Sequence, residues 1–323
     1  MVRRHAWVHN PAMSVEACET PVDAQRAPSG DTAEGFAYAL GAYLLWGVLP
    51  IFMKLVAHLP TVEVIAHRII WSVPIAFLTL LWLRRTDDIK AALKSPRTLR
   101  NAAIAAAIVS LNWGTYVWAI SVDRTLEAAL GYYINPLMTV LVGALVLREK
   151  LTRAQMAAIG LAVAAVAILT WESGGLPWVS LALAGTWCAY AFLKKTLPIG
   201  PAQGFLLEVI LLSVPALAYF AYIQSTGQGH FFDNGGYEAL LFMGCGVVTA
   251  VPLILYATGA KGLTLSTIGL MQYIAPTMVF LIAVFVFHEP FSTTKGVAFA
   301  LIWVGLAIYT TSVLRARANA RTA

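Results

Sequence analysis

Charged side chains are scarce in this sequence. They make up 12% of 323 residues, against 59% hydrophobic residues, where a soluble domain carries about 25% charged residues. That shortage excludes a water-soluble fold of this length, because too little polar surface is left to clothe it. Cysteine is scarce too. Cys18, Cys188 and Cys245 share no motif spacing, which excludes a disulfide framework or a cysteine metal site and leaves Cys188 and Cys245 as small apolar filler. No GxxxxGK[ST] loop occurs, so ATP-driven pumping by this chain has no support. No HExxH or GxSxG motif occurs, and no serine in a glycine-rich elbow accompanies His67, so the chain is not expected to be an enzyme. No acidic ring or repeated carbonyl-lining motif marks a channel filter. No cofactor is called for. Residues 1–34 are polar and lack an apolar core. They read as a disordered cytoplasmic extension without a signal peptide, and Met13 is an alternative start to Met1.

What the sequence has is apolar runs of bilayer length, roughly 20 residues each. Ten windows qualify: 35–53, 63–83, 101–121, 127–147, 154–170, 177–193, 204–223, 237–257, 265–287 and 296–314. An all-α integral membrane protein is therefore expected. Basic residues give its direction. With the N-terminus in the cytoplasm, eighteen of the 22 Lys and Arg residues fall on the inner side. Only Lys54, Arg124 and Lys295 fall outside, and Arg68 lies within a span. This positive-inside bias predicts a multi-pass protein with both termini cytoplasmic, including a basic tail at 315–323. It also accounts for the net charge of +6 through contact with anionic lipids, with no need for nucleic acid.

The chain repeats itself. LGYYINPLMTVLVGALVLRE at 130–149 returns 140 positions later as LMQYIAPTMVFLIAVFVFHE, with eight of twenty positions identical. Among the shared residues are Tyr133/Tyr273, Pro136/Pro276 and Glu149/Glu289. Trp71-Ser72-Val73-Pro74 is answered by Leu212-Ser213-Val214-Pro215 at offset 141, and Tyr116 by Tyr256 at 140. Two units of five spans follow, over 35–170 and 177–314. Because five is odd, the second unit enters from the opposite side. The expected architecture is ten transmembrane helices as two inverted five-helix repeats around a central cavity, the construction of many secondary transporters.

Polar residues at depth are the candidates for a site, since an Arg near a helix centre costs about 2.5–3.5 kcal/mol on insertion scales. Arg68 reads either as the attractor of an anionic substrate group or as a side chain satisfied by carbonyls, neighbours or snorkelling. Its neighbour His67 and Glu208, opposite each other in the repeat, are proton-coupling candidates, with the same structural alternative. Asn112, Asn135 and Gln272 can orient a solute or serve as interhelical glue. Pro136 and Pro276 kink their helices, and Asn135-Pro136 is expected to unwind locally. Trp113, Tyr116, Tyr132, Tyr256 and Tyr273 supply aromatic surface for a cavity wall or for packing. Glu149 and Glu289 read as helix-terminus or loop anchors pairing with a nearby base. Gly160-xxx-Ala164 and Gly296-xxx-Ala300 read as close helix contacts at the rim or in a homodimer.

The stretches LEAALGYYINPLMTVLVGALVLREKL (126–151), GAYLLWGVLPIFMKLV (41–56), EVIAHRIIWSVP (63–74) and LSTIGLMQYIAPTMVFLIAVFVFHEPFS (265–292) resemble the RarD-type permeases. These belong to the EamA family of the drug/metabolite transporter superfamily. The resemblance covers 35–314 and implies ten helices in a basket around a central cavity. It also implies alternating-access export of a small organic solute across the bacterial inner membrane. Drugs such as chloramphenicol and amino-acid-type metabolites both remain open as solutes. The alternative is a channel or scaffold without alternating access.

Overall fold

The computed structural model describes residues 31–82, 89, 92–146, 151–196, 198–263 and 265–322. Glu149 and the extension before residue 31 lie outside them. Among the described residues the chain is helical throughout, with no sheet. In chain order the elements are α1 (Ala33–Leu55), α2 (Thr61–Trp82), α3 (Pro96–Ser121), α4 (Thr125–Val146), α5 (Arg153–Ser173) and α6 (Trp178–Thr196). There follow α7 (Pro201–Ser225), α8 (Tyr237–Gly259), α9 (Leu265–Met271), α10 (Ile274–Leu281), a π turn over Ile282–Val286, and α11 (Thr293–Thr322). The segment 315–322 thus continues α11 rather than leaving it.

Local chemistry sets the ends. Thr32 caps α1 by accepting the Gly35 N–H, and both its amide and its hydroxyl reach the Gly262 carbonyl. Ser95 caps α3 ahead of Pro96, and Thr152 with Gln155 forms a capping box on α5. Each device satisfies amides that the first helical turn leaves without a partner.

Among the described residues, seven helices are long and apolar enough to cross a membrane: α1, α2, α3, α5, α7, α8 and α11. The remaining three expected spans fall short for visible reasons. The first half of α4 carries Glu127, Tyr132, Tyr133 and Asn135. α6 is 19 residues long and ends in Lys194 and Lys195. The span expected at 265–287 is broken into α9, α10 and the π turn. The break falls at Gln272 and Tyr273, where Pro276 cannot bond the carbonyl four residues back and its ring crowds that carbonyl. Unwinding was expected at Asn135-Pro136, but α4 runs through that pair unbroken. The asymmetry is real and its sense is reversed.

Helix starts recur along the chain. Thr61 and Pro201, Thr125 and Leu265, and Arg153 and Thr293 are each 140 apart; Pro96 and Tyr237 are 141 apart. The packing recurs with them. α1 packs on α8 as α3 does on α6; α2 packs on α8 as α3 does on α7; α4 packs on α6 as α1 does on α10. The pairs α2–α7, α4–α10 and α5–α11 complete the set of the most extensive helix packings. Exchanging each helix for the one about 140 residues on maps this set onto itself. At the α5–α11 contact the buried alanines are Ala158, Ala162 and Ala165, packed with Ala298, Phe299 and Ile302. Gly160 and Ala164 face away from it.

Candidate functional site

α2 carries the most concentrated group of buried polar atoms. Gly246 lets α8 approach it closely: a Cβ there would lie 2.5 Å from the Trp71 backbone. One turn further along α8, the Thr249 hydroxyl accepts a hydrogen bond from Arg68 Nε at 2.7 Å. The guanidinium carbon lies 4.7 Å from the ring centroid of Trp113 on α3. Arg68 is 5% exposed, and its Nη1 has no hydrogen-bond partner. No ion pair to it occurs among the described residues. Tyr116 and Tyr132 stand within electrostatic range of the guanidinium, their rings 5.8 Å apart. The face of Trp113 and the Thr249 hydroxyl offset part of the cost of burying this cation. They leave unmet its capacity for a planar, two-pronged acceptor such as a carboxylate.

His67 is enclosed differently. Its ring stacks on Phe242 at 4.0 Å and Phe231 at 5.0 Å, and meets the edge of Phe220 at 5.1 Å. Neither ring nitrogen has a partner, nor does Trp71 Nε1 one turn on. Buried polar atoms without partners are unusual enough to ask for a ligand, water or movement.

The other expected residues divide into separate places. Asn112 Nδ2 donates to the Leu183 carbonyl at 3.0 Å and to Thr186 Oγ1 at 2.9 Å, tying α3 to α6. That is the glue role, although Asn112 Oδ1 stays unpartnered, as does Asn135 Oδ1. Tyr256 joins Tyr43 and Trp46 in an aromatic triangle with centroids 5.6–5.9 Å apart. Tyr273, next to Gln272 at the helix break, lines a crevice of about 370 Å³ with Tyr133, Thr277 and Trp303. Glu208 is 1% exposed and fully engaged, accepting from Tyr190 and from Lys194 Nζ at 2.8 Å each. Arg68, Trp113, Tyr116 and Tyr132 are therefore brought together. Asn112, Tyr256 and Glu208 are held in structural contacts of their own.

Sequence reasoning missed Thr249, the phenylalanines around His67, and the partners of three carboxylates. Glu63 accepts from His230 and Glu238 from His58, while Glu289 accepts the Thr125 and Leu126 amides at 2.6 and 2.8 Å. Glu289 is thus a helix-terminus anchor as expected, but for backbone amides rather than a base. A signal existed for Glu63, a glutamate in the first turn of an apolar span. None existed for Thr249, since a mid-span threonine is ordinary.

Known proteins match closely. Residues 33–171 match the EamA-like transporter family. The Protein RarD of Streptomyces exfoliatus is 40% identical over 287 residues, covering 89% of this chain and 91% of the relative. The Uncharacterized transporter YojE of Bacillus subtilis is 39% identical over 292 residues, covering 88% and 96%. A protein crystal structure shares the fold at a TM-score of 0.54 and 21% identity, over 87% of this chain and 98% of that one. The chain belongs to the RarD-like EamA transporters of the drug/metabolite transporter superfamily, which are bacterial inner-membrane secondary transporters of small organic solutes and not enzymes.

Proposed function

We propose that this chain moves its solute by alternating access, with two inverted five-helix halves rocking about a central cavity at Arg68. The ten spans occupy 35–170 and 177–314, and both termini are cytoplasmic. The self-mapping of helix starts and helix packing supports two copies of one unit. Sidedness is supported by contacts between distant segments. Lys54 with Asp123, His58 with Glu238, Glu63 with His230 and Glu289 with Thr125 all join segments that this topology puts outside. Thr32 with Gly262 and Asp31 with Thr267 join segments it puts inside. The exposed Gly160/Ala164 face of α5 suits a homodimer contact.

The observation that carries this reading is the buried, unpaired guanidinium of Arg68 over Trp113. It would take an anionic or strongly accepting group of the solute, while Trp113, Tyr116 and Tyr132 stack against its apolar part. Asn112 and Asn135 offer unpartnered carbonyl oxygens to a donor, with Gln272, Tyr256 and Tyr273 along the path. His67 and Glu208 are the coupling candidates. Glu208 would first have to leave Lys194, whereas the His67 nitrogens are unoccupied. Export is the direction, and a drug-like compound or an amino-acid-type metabolite the solute.

The test is counterflow in proteoliposomes, after a thermal-shift screen of chloramphenicol and amino acids on the detergent-solubilised protein. Saturable counterflow supports a carrier, and an ohmic current supports a channel. Arg68→Ala is expected to abolish counterflow while inserting normally. Full transport by that variant removes Arg68 from the site.

A further inference from the structure

The connection between α7 and α8 does not stay at the membrane surface. At its centre Phe231 turns inward and stacks on the His67 imidazole at 5.0 Å with an interplanar angle of 11°. It also reaches the Trp71 ring, one turn further along α2, at 6.2 Å. Its neighbour Phe232 is 73% exposed. A loop side chain that penetrates this far must be held, and Glu63 holds it. The Glu63 carboxylate, 1% exposed in the first turn of α2, accepts the His230 backbone N–H at 2.8 Å and lies 2.7 Å from His230 Nδ1. The loop is thereby fastened to the helix that carries His67 and Arg68. Phe220 and Phe242 close the remaining sides of the imidazole from α7 and α8. The layer is tight enough that neither nitrogen of His67 finds a partner. Of its three phenylalanines only Phe231 lies outside a helix, so it can leave without unwinding a span or displacing one.

We propose that Phe231 is the outer gating residue of this carrier, and that the Glu63–His230 contact is the latch that positions it. Closed, the Phe231 ring covers His67 and shuts the way from the outer side to Arg68. Open, the loop withdraws, and Glu63 and His230 are hydrated by outer water, which makes release reversible. This inference rests on reading Arg68 as the solute site and adds which element bars it from outside.

Native Cys245 provides the test. It is fully buried on α8, one turn from Phe242, and lies within electrostatic range of Arg68. In a Cys18→Ser, Cys188→Ala background, a membrane-impermeant cationic methanethiosulfonate is added to the outer side of intact cells. Modification of the Cys245 peptide is then followed by mass. Phe231→Ala is expected to raise the rate about tenfold, and Glu63→Ala to do likewise, as loss of hydrogen bonds to a charged group permits. Glu63→Gln keeps an oxygen for the His230 N–H and is expected to raise it less. Phe232→Ala is expected to leave it unchanged. An unchanged rate in folded Phe231→Ala overturns the gate, and an unchanged rate in Glu63→Ala overturns the latch. Should either variant misfold, an oxidised Glu63→Cys/His230→Cys pair answers instead. Labelling of Cys245 should fall below the parent rate and recover with reductant, and labelling at the parent rate while locked overturns the proposal. Labelling needs no solute, so its failure is distinct from a failure of Arg68 to support counterflow.

Discussion

Two stretches of this chain, 125–146 and 265–286, share seven of 22 positions and have matching bounds, yet one is a single helix and the other is broken. α4 runs from Thr125 to Val146 without interruption. Its counterpart starts at Leu265 and ends at Val286, 140 residues on at both ends, but passes through a short helix, a turn at Gln272 and Tyr273, a second helix and a π turn. Both contain a proline at the same place, so proline alone does not decide the outcome. Packing does. α4 is held at its start by Glu289, which accepts two amides of its first turn. Along its length Gly131 lies against α6, where a Cβ would come within 2.8 Å of the Ser180 carbonyl. At the matching position the second copy has Met271, a bulky side chain buried against Tyr43 and Leu263. The same helix-breaking chemistry is absorbed beside the close backbone contact at Gly131 and expressed beside the bulky Met271. Two similar segments thus become one continuous helix and one interrupted helix in different surroundings.

The largest expected effect comes from releasing the grip at the start of α4. Glu289→Ala leaves two amides without their acceptor in a buried place and is expected to cost about 3 kcal/mol. The apparent Tm in detergent should fall accordingly, with Glu289→Gln falling less. A Glu289→Ala protein as stable as the parent would mean that α4 does not depend on this cap. Next comes the close approach itself. Gly131→Ala forces a methyl against the Ser180 carbonyl and is expected to cost about 2 kcal/mol through overpacking. Met271→Ala in the other copy removes bulk instead, so it tests the same position with the opposite change in volume. If Gly131→Ala proves neutral, the contrast between gripped and loose copies is lost.

Much of this was legible beforehand. Seven of the ten expected spans, the offset of 140 and the family resemblance follow from apolar runs and shared residues such as Tyr133/Tyr273 and Pro136/Pro276. Arg68 was visible as a costly charge at depth, and the structure leaves it without a carboxylate. What was not legible depended on contacts between segments far apart in the chain. Asn135-Pro136 looked like the weak point because an amide precedes the proline, yet α4 stays continuous, with Ser180 packed on Gly131 and Glu289 on its first turn. Phe231 looked like a loop residue, because a loop's depth is not written in its composition. Glu208 stayed open between proton coupling and satisfaction by its neighbours, because Lys194, fourteen positions earlier, was counted at the inner surface rather than as its partner.

The third way to sharpen the comparison is to heal the broken copy. Pro276→Ala restores an amide that can bond the Gln272 carbonyl, and is expected to raise stability by about 1 kcal/mol. Counterflow should slow, and amide exchange at Gln272 and Tyr273 should fall. Pro136→Ala, in a helix already continuous, is expected to leave counterflow near the parent value. Equal effects of the two substitutions would show that the break has no part in transport.

The smallest effect concerns one of the bonds that tie the copies together. Tyr133 on α4 and Thr277 on α10 lie 2.6 Å apart, hydroxyl to hydroxyl, where the two copies cross. Tyr133→Phe keeps the ring against Phe299 and Trp303 and removes only the hydroxyl. The Thr277 hydroxyl retains the Tyr273 carbonyl as its acceptor at 2.7 Å, so that donor is not stranded. The cost should therefore be the net worth of one hydrogen bond, about 1 kcal/mol or less. Thr277→Val should cost a similar amount, and the double variant no more than either alone, because both remove the same contact. Additive losses would mean that the two hydroxyls act through other partners.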